Sequence, residues 1–207
     1  MPDTDRDARR RRGLLYIVLT GLVGVCLVAI PILLRPSGTP LGWGIRAAAM
    51  LGYLAIALTA ITSAYMRELF RLLGRPFIRV HHIYSVAGLT LATLHALSVA
   101  IRSSDPLVFI PDFSSLNAFL SLGGRPAWFL LGGASLAAVF RTSIKQRWRE
   151  IHYLNYAALL FITVHAIMIG TDFLSPIMKG IAITIVAAVA GAAIKKRIQR
   201  WRLRRRG

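Results

Sequence analysis

Five histidines, His81, His82, His95, His152 and His165, combine a chemically useful residue type with regular spacing. All five fall on two long apolar runs. His95 follows His81 by 14 residues and His82 by 13, and His165 follows His152 by 13. On a helix rising about 1.5 Å per residue, these separations are about 20 Å. The histidines therefore form two layers, one near each face of a bilayer. His95 pairs with His165 in the outer layer, and His152 pairs with His81 or His82 in the inner one. Ionisable side chains inside a membrane are costly, so a functional role is the default expectation. A lone histidine of this kind is as readily explained by a hydrogen bond within the bundle. Four in two matched pairs favour a shared chemical role. Two neutral imidazoles from facing helices can supply both axial ligands of a haem iron, and apolar helices suit the porphyrin faces. A bare metal would want three or four ligands in one layer, and no carboxylate or cysteine is placed to help.

The spacing also discriminates between neighbours. Fourteen residues turn a helix to within about 40° of its start, while thirteen leave it about 140° away. His81 thus shares a face with His95, and His82 does not, which favours His81 over His82 as the inner ligand. His152 and His165 are 13 apart, so either their helix is locally distorted or His152 sits in a frayed first turn.

Six apolar runs can position these residues: Gly13 to Leu34, Ile45 to Met66, His81 to Ile101, Ala127 to Phe140, Ile151 to Gly170 and Gly180 to Ile194. About 20 apolar residues cross a hydrocarbon core, so the fourth and sixth runs are short. Hydrophobic residues make up 56% of the chain and charged ones only 16%, with a mean hydropathy of +0.59. That composition indicates an integral membrane protein rather than a soluble domain. Pro36, Pro40, Pro76, Pro106, Pro111, Pro126 and Pro176 fall in loops or at run ends, where a missing N–H does least harm. Pro31 lies inside the first run and is expected to kink it. The first run is too long for a signal-peptide core of about 7–15 residues, so it reads as an uncleaved anchor. Cys26 is the single cysteine, so neither an internal disulfide nor a thiolate metal site is expected.

A net charge of +18 would suggest nucleic acid in a soluble protein. Here the basic residues cluster between apolar runs, and the pattern reads as topology, with no nucleic acid expected. Arg6 and Arg9 to Arg12 precede the first run. Arg67, Arg71, Arg75 and Arg79 separate the second and third, and Arg141, Lys145, Arg147 and Arg149 the fourth and fifth. Lys195, Lys196, Arg197, Arg200, Arg202 and Arg204 to Arg206 follow the sixth. The other side holds only Arg35, Arg46, Arg102, Arg125 and Lys179. Basic short loops stay in the cytoplasm. The expected fold class is therefore an all-α integral membrane protein. It is a six-helix transmembrane bundle of the cell (inner or plasma) membrane, with both termini cytoplasmic. Residues 1–12 and 195–207 are basic tails around a core of residues 13–194. The outer segment from Arg102 to Arg125 is expected to cap the outer face in part.

The run His81-His82-Ile83-Tyr84-Ser85 through Ala92-Thr93-Leu94-His95 resembles the ferric reductase-like transmembrane domain, the haem-binding core of NADPH oxidases and ferric reductases. The run Trp148-Arg149-Glu150-Ile151-His152, then Tyr156 and His165, is similar to the haem-binding membrane subunit of the periplasmic methionine sulfoxide reductase system. The resemblance spans roughly residues 45 to 195, with its specific residues in two helices. It departs in two places. That branch usually has arginines where this chain has His81 and His82, which makes a second haem more plausible here. The oxidases commonly carry a glycine where this chain has Ser85.

The resemblance implies haem b, two per chain, held by His81, His95, His152 and His165, with His82 as the spare inner ligand. Arg79 and Arg149 would face the inner haem propionates, Arg102 the outer ones, and Tyr84, Tyr153 and Tyr156 would line the haems. The first two arginines are equally explained as positive-inside charge, and Trp148 as an interfacial anchor. No Gly-rich phosphate loop is present; Gly123-Gly124 and Gly132-Gly133 read as helix-packing pairs. Electrons would come from a cytoplasmic flavin reductase, from bound FMN or FAD at the cytoplasmic face, or from quinol. They would leave at the outer face to a protein, oxygen or ferric iron. The rival expectation is a non-redox bundle: a proton or cation pathway through the histidines, or a scaffold whose basic tail holds anionic membrane lipid.

Overall fold

The computed structural model describes residues 3–35, 38–73 and 76–204. Pro36, Arg75, Arg205 and Arg206 lie outside them. The described chain is helical, with no strand among these residues. In order it comprises α1 (Asp3–Leu34), α2 (Pro40–Ala64), α3 (Met66–Leu73), α4 (Pro76–Ser103) and a 3₁₀ turn (Pro106–Phe109). Then come α5 (Leu116–Ser121), α6 (Gly124–Val139), α7 (Arg141–Ile144), a 3₁₀ turn (Lys145–Arg147), α8 (Trp148–His152), α9 (Leu154–Ile169), a 3₁₀ turn (Thr171–Leu174) and α10 (Pro176–Arg204). Four stretches are long and apolar enough to cross a membrane: Pro40–Ala64, Phe77–Ser103, Trp148–Ile169 and Pro176–Gln199, with Val18–Leu34 a shorter one.

The helices outrun the apolar runs for local reasons. α1 begins at Asp3 because the basic residues before Gly13 continue the helix, and Pro31 does not end it. α2 starts at Pro40, which occupies the first turn where its missing N–H costs nothing. The Thr39 hydroxyl caps it by accepting from the Gly42 N–H at 3.2 Å. The basic stretch after α2 is folded rather than a plain loop: α3 is amphipathic, and Arg79 already lies in α4. The sixth run is not short. Its helix extends from Pro176 to Arg204, since Lys and Arg propagate helices well and suit a helix C-terminus. α6, with 16 residues, is short as expected and spans about 24 Å.

α2 is the most enclosed helix, packed against α1, α4, α9 and α10. It is rich in Ala, Gly and Thr, and small residues let membrane helices approach closely. The contact with α4 is reciprocal. A Cβ at Gly88 would come within 2.9 Å of Ile56 Cγ1, and one at Gly52 within 3.2 Å of Leu91 Cβ. α9 packs on α6, while α4 and α9 make few close backbone approaches of their own. They share one core, in which Leu89 and Ala92 of α4 and Phe161, Ile162 and Ala166 of α9 pack around Tyr53, Leu131 and Leu159. Outwards, α1, α4, α6 and α10 display exposed Leu, Ile and Val side chains, the surface that lipid would cover.

The segment between α4 and α6 folds back over one end of the bundle. Its 3₁₀ turn packs on α4 and α6, and α5 packs on α9. Arg125 donates to the Ile110 carbonyl at 2.9 Å, and Phe119 links stacked Phe113 to Phe161 in α9.

Candidate functional site

The two histidine helices differ in regularity. α4 is continuous from Pro76 to Ser103, so His81 and His95 keep their common face. The second helix breaks at Tyr153: His152 ends α8, and the Tyr153 N–H is shared between the Arg149 and Glu150 carbonyls at 3.2 Å each. The Tyr156 N–H then closes a three-residue turn on the Tyr153 carbonyl at 3.0 Å. Such 3₁₀-like turning advances about 120° per residue instead of about 100°. Three residues of it bring His152 about 60° back towards the face of His165. The second helix thus carries a local distortion, which reduces the offset between His152 and His165 from about 140° to about 80°.

The bundle brings the histidines together in pairs. His81 and His152 lie within electrostatic range of one another, and so do His95 and His165. His81 is buried. His82 is exposed, its ring centroid 5.9 Å from that of His81, and it opens onto an apolar groove along α4 lined with Ile83, Val86, Ala87, Thr90 and Leu91. Among the described residues no three His, Cys, Asp or Glu side chains converge.

Three of the four paired histidines are held in the same way. His95 Nδ1 lies 3.1 Å from the Ile45 carbonyl of α2, His152 Nδ1 3.1 Å from the Ala134 carbonyl of α6, and His165 Nδ1 2.7 Å from the Ser121 carbonyl closing α5. A carbonyl oxygen can only accept, so each ring carries its proton on Nδ1 and has its lone pair on Nε2; at His152 the Asn155 side-chain nitrogen lies 3.5 Å from that Nε2. Metal-binding histidines are oriented by this same arrangement. Ala134 is fully buried, and its small side chain lets His152 reach the backbone of α6. In front of His165, a Cβ on Gly124 would sit 3.3 Å from Nε2, so the absent side chain keeps that nitrogen accessible. His81 differs: its buried Nδ1 has no hydrogen-bond partner.

The remaining sequence candidates are placed as follows. Arg79 and Arg149 are exposed, and Arg149 stacks over Trp148 at 5.6 Å, whose ring lies 5.8 Å from that of His152. Tyr156 shares a hydrogen bond with Ser63 of α2 at 3.0 Å, Tyr84 shares one with Thr20 of α1 at 2.9 Å, and Tyr153 stacks beside Tyr156. Arg102 is exposed at the end of α4. Sequence reasoning missed the three carbonyls and Gly124, because backbone acceptors carry no residue signature. It also counted Arg46 only as an outer charge. Arg46 in fact forms a partly buried ion pair with Asp172, a residue that drew no attention. The chain matches no family model, no curated protein and no solved structure.

Proposed function

We propose that this protein is a haem b-binding transmembrane electron-transfer protein of the ferric reductase-like kind. Its six spans are α1, α2, α4, α6, α8 with α9, and α10, with both termini on the cytoplasmic side. The carrying observation is the set of four enclosed or half-enclosed histidines on two helices, with three Nδ1 atoms held against backbone carbonyls and the Nε2 of His165 left open beside Gly124. Haem fits this donor set: the ligands are neutral, paired rather than clustered, and set among apolar side chains. His95 and His165 would hold the outer haem, and His81 and His152 the inner one. Each haem, when bound, supplies a one-electron carrier.

The chain's own residues orient the ligands and exclude water. The Ile45, Ala134 and Ser121 carbonyls keep three imidazoles neutral and pointed, and Gly124 leaves space at His165. The burial of His81 favours it over His82 as the inner ligand. Arg79 and Arg149 are close enough in sequence to the inner ligands to attract carboxylate groups there.

Two donor classes keep support. The inner-side basic residues Arg67, Arg71, Arg141 and Arg147 are exposed and suit an acidic flavin reductase or a flavin phosphate. The groove beside His82 suits a membrane quinol. The acceptor, whether protein, oxygen or ferric iron, would meet the outer pair beneath the segment from Arg102 to Arg125. The non-redox alternative, a proton or cation path through the same histidines, predicts no visible chromophore. The deciding experiment is a visible spectrum and a pyridine haemochrome assay on protein expressed with ample haem. Two low-spin haems per chain are expected. Protein that stays colourless would reject the proposal in favour of the non-redox bundle.

A further inference from the structure

The end of the bundle near His95 and His165 holds a charged clasp that touches no histidine yet is linked through the chain to both of these. Arg46 lies in the second turn of α2. Its Nε donates to Asp172 Oδ2 at 3.0 Å and Oδ1 at 3.2 Å, and one terminal nitrogen also reaches Oδ1. The same nitrogen donates to the Pro31 carbonyl at 3.0 Å, and the other donates to the Arg35 carbonyl. Arg35 reaches back to the Thr171 carbonyl at 3.2 Å. Both partners of the ion pair are nearly enclosed, with side-chain exposures of 13% and 7%. One guanidinium thus ties the end of α1, the start of α2 and the turn between α9 and α10.

Its neighbours give the clasp a role. Residue 46 follows Ile45, whose carbonyl accepts from His95 Nδ1, so moving Arg46 moves that acceptor. Asp172 sits seven residues beyond His165, in the turn that ends the helix carrying it. Breaking a buried ion pair by removing one partner leaves an uncompensated charge, which forces local rearrangement. A simple anchoring role could be filled at any outer position. This pair instead joins the peptide that orients one outer histidine to the terminus of the helix bearing the other.

We infer that the Arg46–Asp172 ion pair is a positioning device for the outer histidine pair, setting the Ile45 carbonyl against His95 Nδ1 and fixing the outer end of the His165 helix. The inference rests on the haem reading for its functional meaning, but its geometry can be tested without haem. The full-length variants are Arg46→Gln, Asp172→Asn and the double variant, in which neither charge is left buried alone.

The first readout is ¹⁵N NMR of histidine-labelled, haem-free protein, with His152 as internal reference. In all three variants the His95 Nδ1–H signal should shift and exchange faster with water, while that of His152 stays in place. The second readout is haem transfer from loaded protein to excess apomyoglobin. One haem should leave about tenfold faster, the scale on which outer partners of metal ligands act, while the other leaves at the wild-type rate. Folded variants with wild-type behaviour in both readouts overturn the inference. So does equal loss at both layers, which would make the pair a general stability contact. A wild-type protein that takes up no haem sinks the haem reading, and the NMR comparison still decides the clasp.

Discussion

Gly124 and His165 meet across the turn between α5 and α6 and the middle of α9: a methyl group added at Gly124 would lie 3.3 Å from His165 Nε2 and 3.4 Å from Cδ2. That approach is tighter than ordinary van der Waals contact, and the ring cannot easily retreat because Ser121 holds its Nδ1 at 2.7 Å. Gly124→Ala is therefore expected to abolish or high-spin-shift one of the two haem signals while leaving the protein folded. Optical and electron paramagnetic resonance spectra of the loaded variant check this. Two unchanged low-spin signals would mean that the Nε2 side of His165 is not the ligand face.

The two adjacent histidines of α4 should separate cleanly. His81 points into the bundle and His82 into the lateral groove. His81→Ala is expected to remove the inner haem, halving the haemochrome yield, and His82→Ala to leave the yield intact. The reverse pattern would assign the inner site to His82 and require α4 to rotate.

The close contact of α2 and α4 depends on Gly88. A Cβ there would come within 2.9 Å of Ile56 Cγ1 and 3.2 Å of the Ile56 nitrogen. Gly88→Val should destabilise the bundle by about 1–3 kcal/mol, the usual cost of overpacking a filled interior. Denaturant titration in mild detergent measures it. Wild-type stability would show that the two helices have room to separate.

The end of the bundle that carries α3 offers a pH-dependent contact. Glu68 of α3 is salt-bridged to Lys196 of α10, and that hydrogen bond, with help from nearby positive charge, holds its carboxyl below the ordinary glutamate range. A carboxylate with a lowered folded pKa contributes stability above its unfolded value, about 4.3, and loses it as pH falls through the folded value. The protection of the α3 amides, taken relative to their intrinsic exchange rate at each pH, should fall in acid below that range and be constant above it. Lys196→Gln should show the lower protection already at pH 7. An exposed pair of this kind contributes little, so the global unfolding midpoint should scarcely move.

Composition and the spacing of apolar residues determined a great deal unaided. They indicated a helical membrane protein, located the long apolar stretches around Tyr53, Gly88, Val164 and Ile185, and led to the expectation of histidines at two depths. Each of these follows from one-dimensional periodicity: hydrocarbon thickness sets run length, and helical rise converts residue count into depth. The helix ends were less legible. Proline and threonine at the start of α2 and lysine and arginine at the end of α10 extend the helices beyond their apolar cores.

Only the tertiary structure decided how the histidines are held. Which carbonyl meets which Nδ1 depends on how neighbouring helices pack, whereas the inward turn of His81 rather than His82 is already favoured by its 14-residue spacing from His95. The 13-residue spacing of His152 and His165 calls for a distorted or frayed helix, but only the structure puts the break at Tyr153. Arg46 and Asp172 are 126 residues apart, and each reads alone as an ordinary outer charge. Their pairing exists because burial makes an isolated charge untenable, and the fold brings the start of α2 beside the turn that follows α9.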